Sequence, residues 1–329
     1  STAGLTLRPS AGYSAMEGGI MFDVSSKART ARVAKARASL TVRPETLRLI
    51  WERQVPKGDP LEVAKVAAIQ AAKNTAQIIP YCHPIPVDHG AVDYDLAADR
   101  IEATVTVKAI YKTGVEMEAL TAASVCALTL YDMLKMLDET MVIREIRLLE
   151  KRGGKSDFRD ARAQPIRAAV IVVSDSVSDG RKQDVSGRLI ADRLRGEKVD
   201  VVESLVIPDD PAAIEGALIR CADEMSVDLV MTTGGTGLGP RDHTPEVMAR
   251  VIEREAPGIA EAARAHGQER TPFSMLSRGK AGVRGRTLIV NLPGSPGGVA
   301  ESLDAVLRPI LHAFPIMGGG GHGEAAAGP

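Results

Sequence analysis

The sequence has few cysteines, and their placement excludes two classes of protein. Its 329 residues include only Cys82, Cys126 and Cys221, which are widely spaced, odd in number and never arranged as Cys-x-x-Cys. We therefore expect neither a disulfide framework nor a structural zinc site. A reducing compartment is the simplest setting for such a chain, and we expect a cytoplasmic protein.

The sequence also has almost no net charge and no evident membrane segment. A formal net charge of -1 gives no overall electrostatic attraction to nucleic acid or to anionic membranes. No apolar run is expected to be long enough to span a bilayer, and the first residues lack the charged-then-apolar pattern of a signal peptide. We expect neither a nucleic-acid partner nor a membrane partner.

What is present is an ordinary globular composition, with 44% apolar and 25% charged residues. At about 150 residues per domain, the length predicts two domains. The segments 1–19 and 318–329 are rich in small and polar residues, so we expect both to be disordered. A charged, glycine-containing stretch without apolar periodicity predicts a linker at 158–166, between domains at 20–157 and 167–317.

The second domain alternates apolar runs with helical patterns. Continuous apolar runs such as Ala168–Val173 and Leu229–Thr232 are typical of strands buried on both faces. The alternation predicts an α/β doubly wound, mostly parallel sheet, in which ligands bind beyond the carboxyl ends of the strands. The loops at those ends are Ser174–Gly180, Pro208–Pro211, Thr232–Asp242 and Asn291–Gly298.

One of these loops is rich in glycine, with the sequence TTGGTGLGPRDHTP over 232–245. Glycines let backbone N–H groups approach an anion at the positive end of the following helix. Asp242 adds a carboxylate, which would repel a phosphate unless a divalent cation bridged the two. The loop therefore predicts a nucleotide with magnesium. The alternative is a tight glycine turn that binds nothing.

The first domain shows clear strand and helix signals. Asp59 followed by Pro60 and Glu62 is a helix start with a capping box. The other predicted elements are a strand at Thr30–Val42, a helix at Pro44–Gln54, a hairpin over Val92–Ala109, a long amphipathic helix from about Glu118 and a closing strand at Val142–Leu149.

Several side chains of the first domain are candidates for chemistry. Lys57 precedes a helix start, where a cation and free N–H groups can share an anion. His83, in a proline-rich loop, can transfer protons or contact phosphate, or can be a structural histidine. A weaker alternative is a zinc site of Cys82, His83 and His89. Asp132 and Lys135 are spaced to form a pair on one helix face.

The motifs MFDVS, KGD, IPYCHP, KTGVEMEALTAASV, YDMLK and GGKS occur in this order over roughly 21–157. This half resembles cyclic pyranopterin monophosphate synthase (MoaC) of molybdenum cofactor biosynthesis. The resemblance implies an α+β ferredoxin-like domain that forms dimers within a hexamer. It also implies conversion of 3′,8-cyclo-7,8-dihydro-GTP to cyclic pyranopterin monophosphate with release of pyrophosphate.

The same resemblance assigns roles to residues of the first domain. The side chains expected to bind the triphosphate as cations are those of Lys57, His83, Lys135 and Lys155. Lys57 and Lys135 are both candidates for the acid and base roles, and a lysine that acts as a base needs a lowered pKa. The side chains expected to tune them are Glu116, Glu118 and Asp132. Cys82 and Lys155 complete the expected substrate-binding set, although the charged stretch around Lys155 can also be a plain linker.

The second half carries VSDSVSDG, IPDD, TTGGTGLGPRDHTPE, TPFSMLSR and NLPGSPGG, and it resembles the MoaB/MogA molybdopterin adenylyltransferases. The resemblance implies that a molybdopterin phosphate attacks the α-phosphorus of ATP and that pyrophosphate leaves. Asp209 and Asp242 match the functional acidic positions, through magnesium, and Ser277 matches a serine that holds the pterin. The remaining expected binding residues are Asp175, Ser176, Gly234, Gly235, Thr236, Gly237, Pro293 and Gly294.

Together the two resemblances predict a bifunctional enzyme whose ligands are cyclised dihydro-GTP, molybdopterin and ATP. Magnesium and ATP are expected as substrate, without a tightly bound organic cofactor. We expect a homo-oligomeric hexamer, with dimers through the first domain and trimers through the second. Molybdenum insertases and CinA-type proteins share the second fold but carry additional domains. The other alternative is that the second half is a non-catalytic pterin-binding or oligomerisation module. The presence of Asp209, Asp242 and Ser277 argues against this alternative.

Overall fold

The first half of the chain folds around a four-stranded antiparallel sheet in the computed structural model, which describes residues 21–153 and 165–317. Two compact units correspond mainly to these two ranges. The segments 1–19 and 318–329, Lys155 and most of the predicted linker at 158–166 lie outside the described residues.

The first unit has the strand order β2-β3-β1-β4. Its elements are β1 (Thr30–Thr41), α1 (Pro44–Trp51), α2 (Pro60–Lys73), α3 (Thr75–Ile78), β2 (His89–Ala97), β3 (Arg100–Tyr111), α4 (Glu116–Leu134) and β4 (Val142–Arg152). The register between β1 and β3 runs from Thr30 opposite Tyr111 to Thr41 opposite Arg100. This arrangement is two interleaved split βαβ units, which confirms the expected α+β ferredoxin-like class.

Small side chains explain how closely the helices lie on this sheet. One face of β1 buries Ala34, Ala36 and Ala38, and the facing side of α4 buries several alanines. Helix α2 begins where the sequence predicts, because the Asp59 carboxylate accepts hydrogen bonds from the backbone N–H groups of Leu61 and Glu62.

Helix α4 corrects the expectation that no stretch is long and apolar enough to cross a membrane. By length and composition alone, Glu116–Leu134 meets that criterion. More than half of this stretch is nevertheless buried inside the unit, where α4 packs on β1 and α2. Its apolar character is therefore that of a central core helix.

The second unit has a six-stranded sheet of order β6-β5-β7-β10-β9-β8, in which the first four strands are parallel and β9 and β8 are antiparallel. Its elements are β5 (Arg167–Val173), α5 (Asp175–Ser178), α6 (Ser186–Gly196), β6 (Asp200–Ile207), α7 (Pro211–Ile219), β7 (Leu229–Thr233), α8 (Thr244–Val251), β8 (Arg254–Glu255), α9 (Pro257–Gln268), β9 (Ala281–Arg284), β10 (Thr287–Leu292) and α10 (Pro296–Met317). Short π-helical and 3₁₀ turns occur at Arg220–Glu224 and Pro272–Leu276.

Helices cover both faces of this sheet. Alternate residues of β5 enter two separate cores, with Ala168 and Val170 packing towards α6 and α10, and Ala169 and Ile171 packing towards α7 and α8. The α/β doubly wound, mostly parallel class is therefore confirmed. Helices α9 and α10 and strand β9 were not predicted from the sequence.

The chain changes direction across the sheet next to β5. Strand β6 lies on one side of β5, and the following crossover places β7 on the other side. Such a reversal opens a crevice at the carboxyl ends of the two strands. The glycine-rich loop leaves the sheet at this edge, where β7 ends at Thr233.

Candidate functional sites

The glycine-rich loop packs tightly against two neighbouring elements. Gly234 has φ +104°, and a Cβ at this position would overlap the carbonyl oxygen of Val173 at the end of β5. Gly235 has φ +61°, and a Cβ there would overlap the Thr244 hydroxyl at the start of α8. The path between β7 and α8 therefore requires glycine at both positions. Thr236, which follows, is also buried.

The Asp242 carboxylate lies inside the curl of this loop. Its Oδ2 accepts a hydrogen bond of 2.8 Å from the backbone N–H of Gly239. A Cβ added to Gly237 or to Gly239 would lie 2.8 Å from the same oxygen. The other oxygen of Asp242, Oδ1, accepts no hydrogen bond from the residues described. The loop thus fixes one side of the carboxylate and leaves the other available.

Two further predicted aspartates meet at the ends of β5 and β6. The Asp175 N–H donates to Asp209 Oδ2 at 2.9 Å, and the Asp209 N–H donates to Asp175 Oδ1 at 3.1 Å. The guanidinium of Arg241 lies 2.7 Å from Asp175 Oδ2. Because Arg241 precedes Asp242, this pair links both aspartates to the glycine-rich loop. Ser176, beside them in α5, has its hydroxyl 3.2 Å from that of Ser174.

The loop after β10 completes the same edge. Thr233 donates from its hydroxyl to the Pro293 carbonyl at 2.6 Å, and Ser186 donates to the Gly294 carbonyl at 2.9 Å. Asn291 is buried and donates from Nδ2 to the Thr232 hydroxyl at 2.8 Å. Its Oδ1, like the buried Thr244 hydroxyl, has no hydrogen-bond partner among the described residues. Unsatisfied buried oxygens are rare, and both belong to residues that contact the glycine-rich loop.

Ser277 reaches this edge through the turn that follows α9. Its hydroxyl accepts from the Gly279 N–H at 3.4 Å, and its carbonyl accepts from Arg264 at 3.4 Å. Next in the chain, the Arg278 N–H donates to the Thr236 carbonyl at 2.9 Å. A cavity of 230 Å³ beside Ser277 is lined by Arg264, Arg278, Lys280 and Glu255, among others. The motif TPFSMLSR marked this segment, but nothing in the sequence showed which carbonyls its arginine would bind.

The acidic residues fit a magnesium ion that arrives with phosphate. Among the described residues, no three His, Cys, Asp or Glu side chains gather into a metal site. Within the described part of the chain, Asp209 and Asp242 each accept a hydrogen bond on one carboxylate oxygen, Oδ2, and none on the other. Magnesium is commonly held by one or two carboxylates together with substrate phosphates. The donor set therefore suits a magnesium–nucleotide complex.

In the first unit, three predicted residues form one cluster. The Lys57 ammonium lies 3.0 Å from Asp132 Oδ2 and 2.8 Å from the Asp132 carbonyl oxygen. The Lys135 ammonium lies 2.8 Å from Asp132 Oδ1. Hydrogen bonds from Lys135 and then Lys57 lower the pKa of Asp132 below its usual range. The result is an exposed group of two cations around one carboxylate.

This cluster does not favour Lys135 as a base. The expected base needs a lowered pKa, whereas the hydrogen bond to Asp132 raises the pKa of Lys135. The neighbour of Lys135 is an anion, which raises its pKa. Cationic neighbours or burial would lower the pKa instead. In this arrangement Lys135 is suited to binding an anion.

A second cluster lies at the other end of α4. Glu118 is only 2% exposed, and its Oε2 has no hydrogen-bond partner among the residues that the structure describes. Burial, assisted by the charge of Glu116, raises the pKa of Glu118 to about 7. Burial and the nearby Glu118 charge raise the pKa of Cys82. Glu116 itself pairs with Lys151 at 3.6 Å. Both glutamates lie in the first turn of α4, where the helix dipole favours acidic residues, and no local sequence pattern shows that one of them is buried.

His83 contacts the segment that precedes β1. Its Nε2 lies 2.8 Å from the Phe22 carbonyl oxygen. Because a carbonyl only accepts, Nε2 carries the proton in this contact. The alternative of a zinc site at Cys82, His83 and His89 is wrong for the described residues, since these side chains do not gather into a metal-binding group.

The two clusters of the first unit are far apart within one chain. Glu118 and Asp132 both belong to the single helix α4. A rise of 1.5 Å per residue over the intervening turns separates them by about 21 Å along the helix axis. The residues that the resemblance assigns to one site are therefore brought together in two groups rather than one.

Comparison with known proteins covers both units. The MoaC family profile matches residues 21–154, and the profile of a probable molybdopterin binding domain matches residues 169–313. A molybdenum cofactor biosynthesis bifunctional protein of Chlorobaculum tepidum is 41% identical over 302 residues, which cover 92% of this chain and 96% of that protein. A protein of the same description from Synechococcus elongatus is 41% identical, with coverage of 92% and 99%.

Relatives of single units are also found. A cyclic pyranopterin monophosphate synthase of Chloroflexus aurantiacus is 53% identical over 138 residues, covering 41% of this chain and 85% of that protein. The crystal structure of the molybdopterin biosynthesis enzyme MoaB from Thermus thermophilus is 46% identical and covers 47% of this chain and 97% of that chain, with a TM-score of 0.45.

Proposed function

The chain belongs to the bifunctional molybdenum cofactor biosynthesis proteins, with a cyclic pyranopterin monophosphate synthase half and a MoaB-like half, and on this basis we propose that its second half adenylylates molybdopterin with Mg-ATP. The observation that carries the proposal is the convergence of four strand-end loops on one edge, with Asp242 held inside the glycine-rich loop. This edge combines the donors for phosphate with the acidic oxygens for magnesium.

In the proposed reaction, an oxygen of the molybdopterin phosphate forms a bond to the α-phosphorus of ATP. The bond from that phosphorus to the bridging oxygen breaks, and pyrophosphate leaves. N–H groups of the glycine-rich loop bind the phosphates, and the free oxygens of Asp209 and Asp242 hold the magnesium that accompanies ATP. Ser277 orients the pterin. Alignment and charge neutralisation supply most of the rate.

Incubation of the purified full chain with molybdopterin, ATP and magnesium tests this proposal. We expect adenylylated molybdopterin and pyrophosphate in equal amounts, and at least a roughly 100-fold loss of rate in Asp242→Asn, since charge stabilisation is removed from the site. Asp192→Asn, which changes an exposed aspartate on α6 paired with Arg195, is the matched control. Pterin binding without turnover by the unaltered protein would instead support the alternative of a non-catalytic pterin-binding or oligomerisation module.

For the first half we propose that Lys57 and Lys135 bind the triphosphate of 3′,8-cyclo-7,8-dihydro-GTP and that Glu118 exchanges protons with the rearranging ring. The two ammonium groups around Asp132 are exposed, positively charged and close enough to share one polyphosphate. A carboxyl group with a pKa of about 7 can both donate and accept a proton at neutral pH. The products are cyclic pyranopterin monophosphate and pyrophosphate.

The separation of the two clusters supports a site shared between copies of the chain. Within one chain Glu118 and Asp132 lie about 21 Å apart on α4. We propose that a dimer formed through the first unit brings the lysines of one copy to Glu118, Cys82 and His83 of the other. Strand β4 lies at the sheet edge and exposes Val142, Ile146 and Leu148, among others, which suits an interface between subunits.

Trimers through the second unit, and hence a hexamer, are part of the same proposal. Three free cysteines agree with a cytoplasmic setting.

Steady-state turnover of the cyclised dihydro-GTP tests the lysine assignments. Lys57→Ala and Lys135→Ala are each expected to lower kcat/KM by about 100-fold or more, because a charge-assisted contact to phosphate is lost. Lys65→Ala is the control, since Lys65 forms a comparable exposed pair with Glu62 at 3.0 Å on α2. Unchanged turnover in both lysine variants of the cluster would contradict the assignment.

A further inference from the structure

The side chain of Arg278 connects the two loops of the second site. Its Nε donates to the Gly237 carbonyl at 2.7 Å, and one terminal nitrogen donates to the Asp242 carbonyl at 2.6 Å. The other terminal nitrogen pairs with Glu246 in the first turn of α8. One planar guanidinium therefore holds the middle of the glycine-rich loop, its acidic end and the helix that follows it.

The backbone of the same segment is held on both sides. The Arg278 N–H donates to the Thr236 carbonyl at 2.9 Å. From α9, Arg264 donates to the carbonyls of Ser277 at 3.4 Å and Gly279 at 3.0 Å. A Cβ on Gly279 would lie 2.8 Å from the Asn291 carbonyl oxygen, so the segment also lies directly against the end of β10. Ser277 consequently has little freedom to move relative to the glycine-rich loop.

These contacts join two parts of the site that bind different ligands under the proposed adenylyltransferase function. Asp242 and the loop glycines face the nucleotide, whereas Ser277 and the neighbouring 230 Å³ cavity face the pterin. Transfer between two bound substrates depends on their alignment, and a displacement of about 1 Å can cost about 100-fold in rate.

We propose that Arg278 is a positioning residue for adenylyl transfer, which fixes the glycine-rich loop and Asp242 against the Ser277 segment so that nucleotide and pterin are held in alignment. This inference rests on the proposed adenylyltransferase function. The guanidinium is required because its donors reach three separate acceptors at once. A lysine ammonium is a point donor that cannot span them.

The test compares Arg278→Met and Arg278→Lys with a matched control, Arg284→Met. Arg284 makes a similar set of contacts, to the Asp223 carboxylate and to the Val251 carbonyl at 3.1 Å, but lies at the far end of the β9–β10 hairpin. All variants are made in the full chain. The measurements are kcat and KM for Mg-ATP and molybdopterin, the thermal midpoint, and hydrogen exchange of the backbone amides over 234–242.

We expect Arg278→Met to lower kcat about 100-fold and to speed amide exchange in the loop, with Arg278→Lys intermediate. Arg284→Met should lower the thermal midpoint about as much as Arg278→Met does. It should leave kcat and amide exchange in the loop within about 3-fold of the unaltered protein, because Arg284 lies outside the site. Unaltered kcat and exchange in Arg278→Met, or an equal loss in Arg284→Met, would overturn the positioning role. An unaltered protein that makes no adenylylated pterin would overturn the proposed function itself and, with it, any role in transfer.

Discussion

At the residue scale, Glu118 is the side chain whose chemistry is most altered by folding. Its pKa of about 7 exceeds the ordinary glutamate value of 4.5, so the unfolded chain loses this proton more readily than the folded one. Ionisation therefore destabilises the folded first unit progressively between about pH 4.5 and pH 7. The penalty approaches about 3 kcal/mol at about pH 8 and is below about 1 kcal/mol at about pH 5.

Glu118→Gln removes this ionisation, and we expect the variant to be more stable than the unaltered protein by about 2–3 kcal/mol at about pH 8 and by much less at about pH 5. Urea denaturation followed by tryptophan fluorescence measures the difference, because Trp51 is the only tryptophan and reports on the first unit. The same change should lower synthase turnover by about 100-fold or more. Equal gains at the two pH values would show that Glu118 is not buried as a neutral acid.

The contacts of a residue could be predicted from the sequence only where its partner is close to it in the chain. The Asp132–Lys135 pair follows from helical spacing alone, and its geometry agrees with the expectation. The burial of Glu118 and the three acceptors of Arg278 depend on segments far away in the chain, and no local pattern encodes them. A lowered pKa was expected for Lys135 only because the resemblance makes it a candidate base, whereas the pair with Asp132, which the spacing predicts, raises its pKa.

At the element scale, the glycine-rich loop can be tested by adding a single methyl group. A Cβ on Gly234 would overlap the Val173 carbonyl, and its φ of +104° is unfavourable for other residues. We expect Gly234→Ala to destabilise the second unit by more than about 2 kcal/mol and to abolish adenylyl transfer. Gly258→Ala is the control, because no described atom outside its own helical turn lies within 4 Å of a Cβ there and α9 tolerates alanine. Differential scanning calorimetry measures the unfolding midpoints, and equal midpoints for Gly234→Ala and Gly258→Ala would contradict the loop geometry.

A second element-scale prediction concerns the joint between α1 and the turn after α4. Asp138 is fully buried and accepts from the Arg43 N–H at 2.7 Å, the Thr46 hydroxyl at 3.0 Å and the Thr140 hydroxyl at 2.7 Å. Burial alone would raise the pKa of Asp138, but these hydrogen bonds outweigh it and lower the value to about 2. The carboxylate therefore stabilises the fold above about pH 3.8 and loses this contribution as the pH falls towards about 2.

Asp138→Asn should lower the free energy of unfolding by about 2 kcal/mol at about pH 7, with a smaller difference at about pH 3, where the unaltered carboxylate contributes less. Fluorescence-detected urea unfolding at the two pH values measures this change. Thr140→Val, which removes one of the donors, should cost about 1 kcal/mol. If Asp138→Asn were as stable as the unaltered protein at neutral pH, the Asp138 carboxylate would not stabilise the fold.

The elements themselves were predictable wherever periodicity or capping was clear. The capped start of α2 and the buried strands β5 and β7 follow directly from the residue pattern. Helix α10 was missed, and it contains Pro309 and Pro315, which by local rules break a helix. Burial of Leu303, Leu307 and Ile310 against the sheet outweighs that local preference.

At the scale of the whole molecule, each unit has cores of its own. The buried cluster of the first unit contains residues from 34 to 141, and the two clusters of the second contain residues from 166 to 311. Each unit can therefore be altered while the hydrophobic core of the other stays intact. This separation makes it possible to ask whether the first site lies within one chain or between two.

Mixed assemblies of two inactive variants answer that question. Lys135→Ala lacks a cation of the exposed cluster, and Glu118→Gln lacks the buried acid, about 21 Å away on α4. If a site combines the lysines of one chain with Glu118 of another, a mixed dimer contains one fully wild-type site and one doubly altered site. Random reassociation of equal amounts should then restore about a quarter of the wild-type synthase activity.

Reassembly after mild denaturation, with each variant alone as the control, provides the measurement. Adenylyl transfer, the activity proposed for the second unit, should be the same in both variants and in the mixture, which shows that the second unit has refolded. Restoration is expected because one site of each mixed dimer takes Lys135 from the Glu118→Gln chain and Glu118 from the Lys135→Ala chain. Mixtures no more active than the separate variants, with adenylyl transfer fully recovered, would place Lys135 and Glu118 in the same chain's site and would require α4 or its neighbours to rearrange around the substrate.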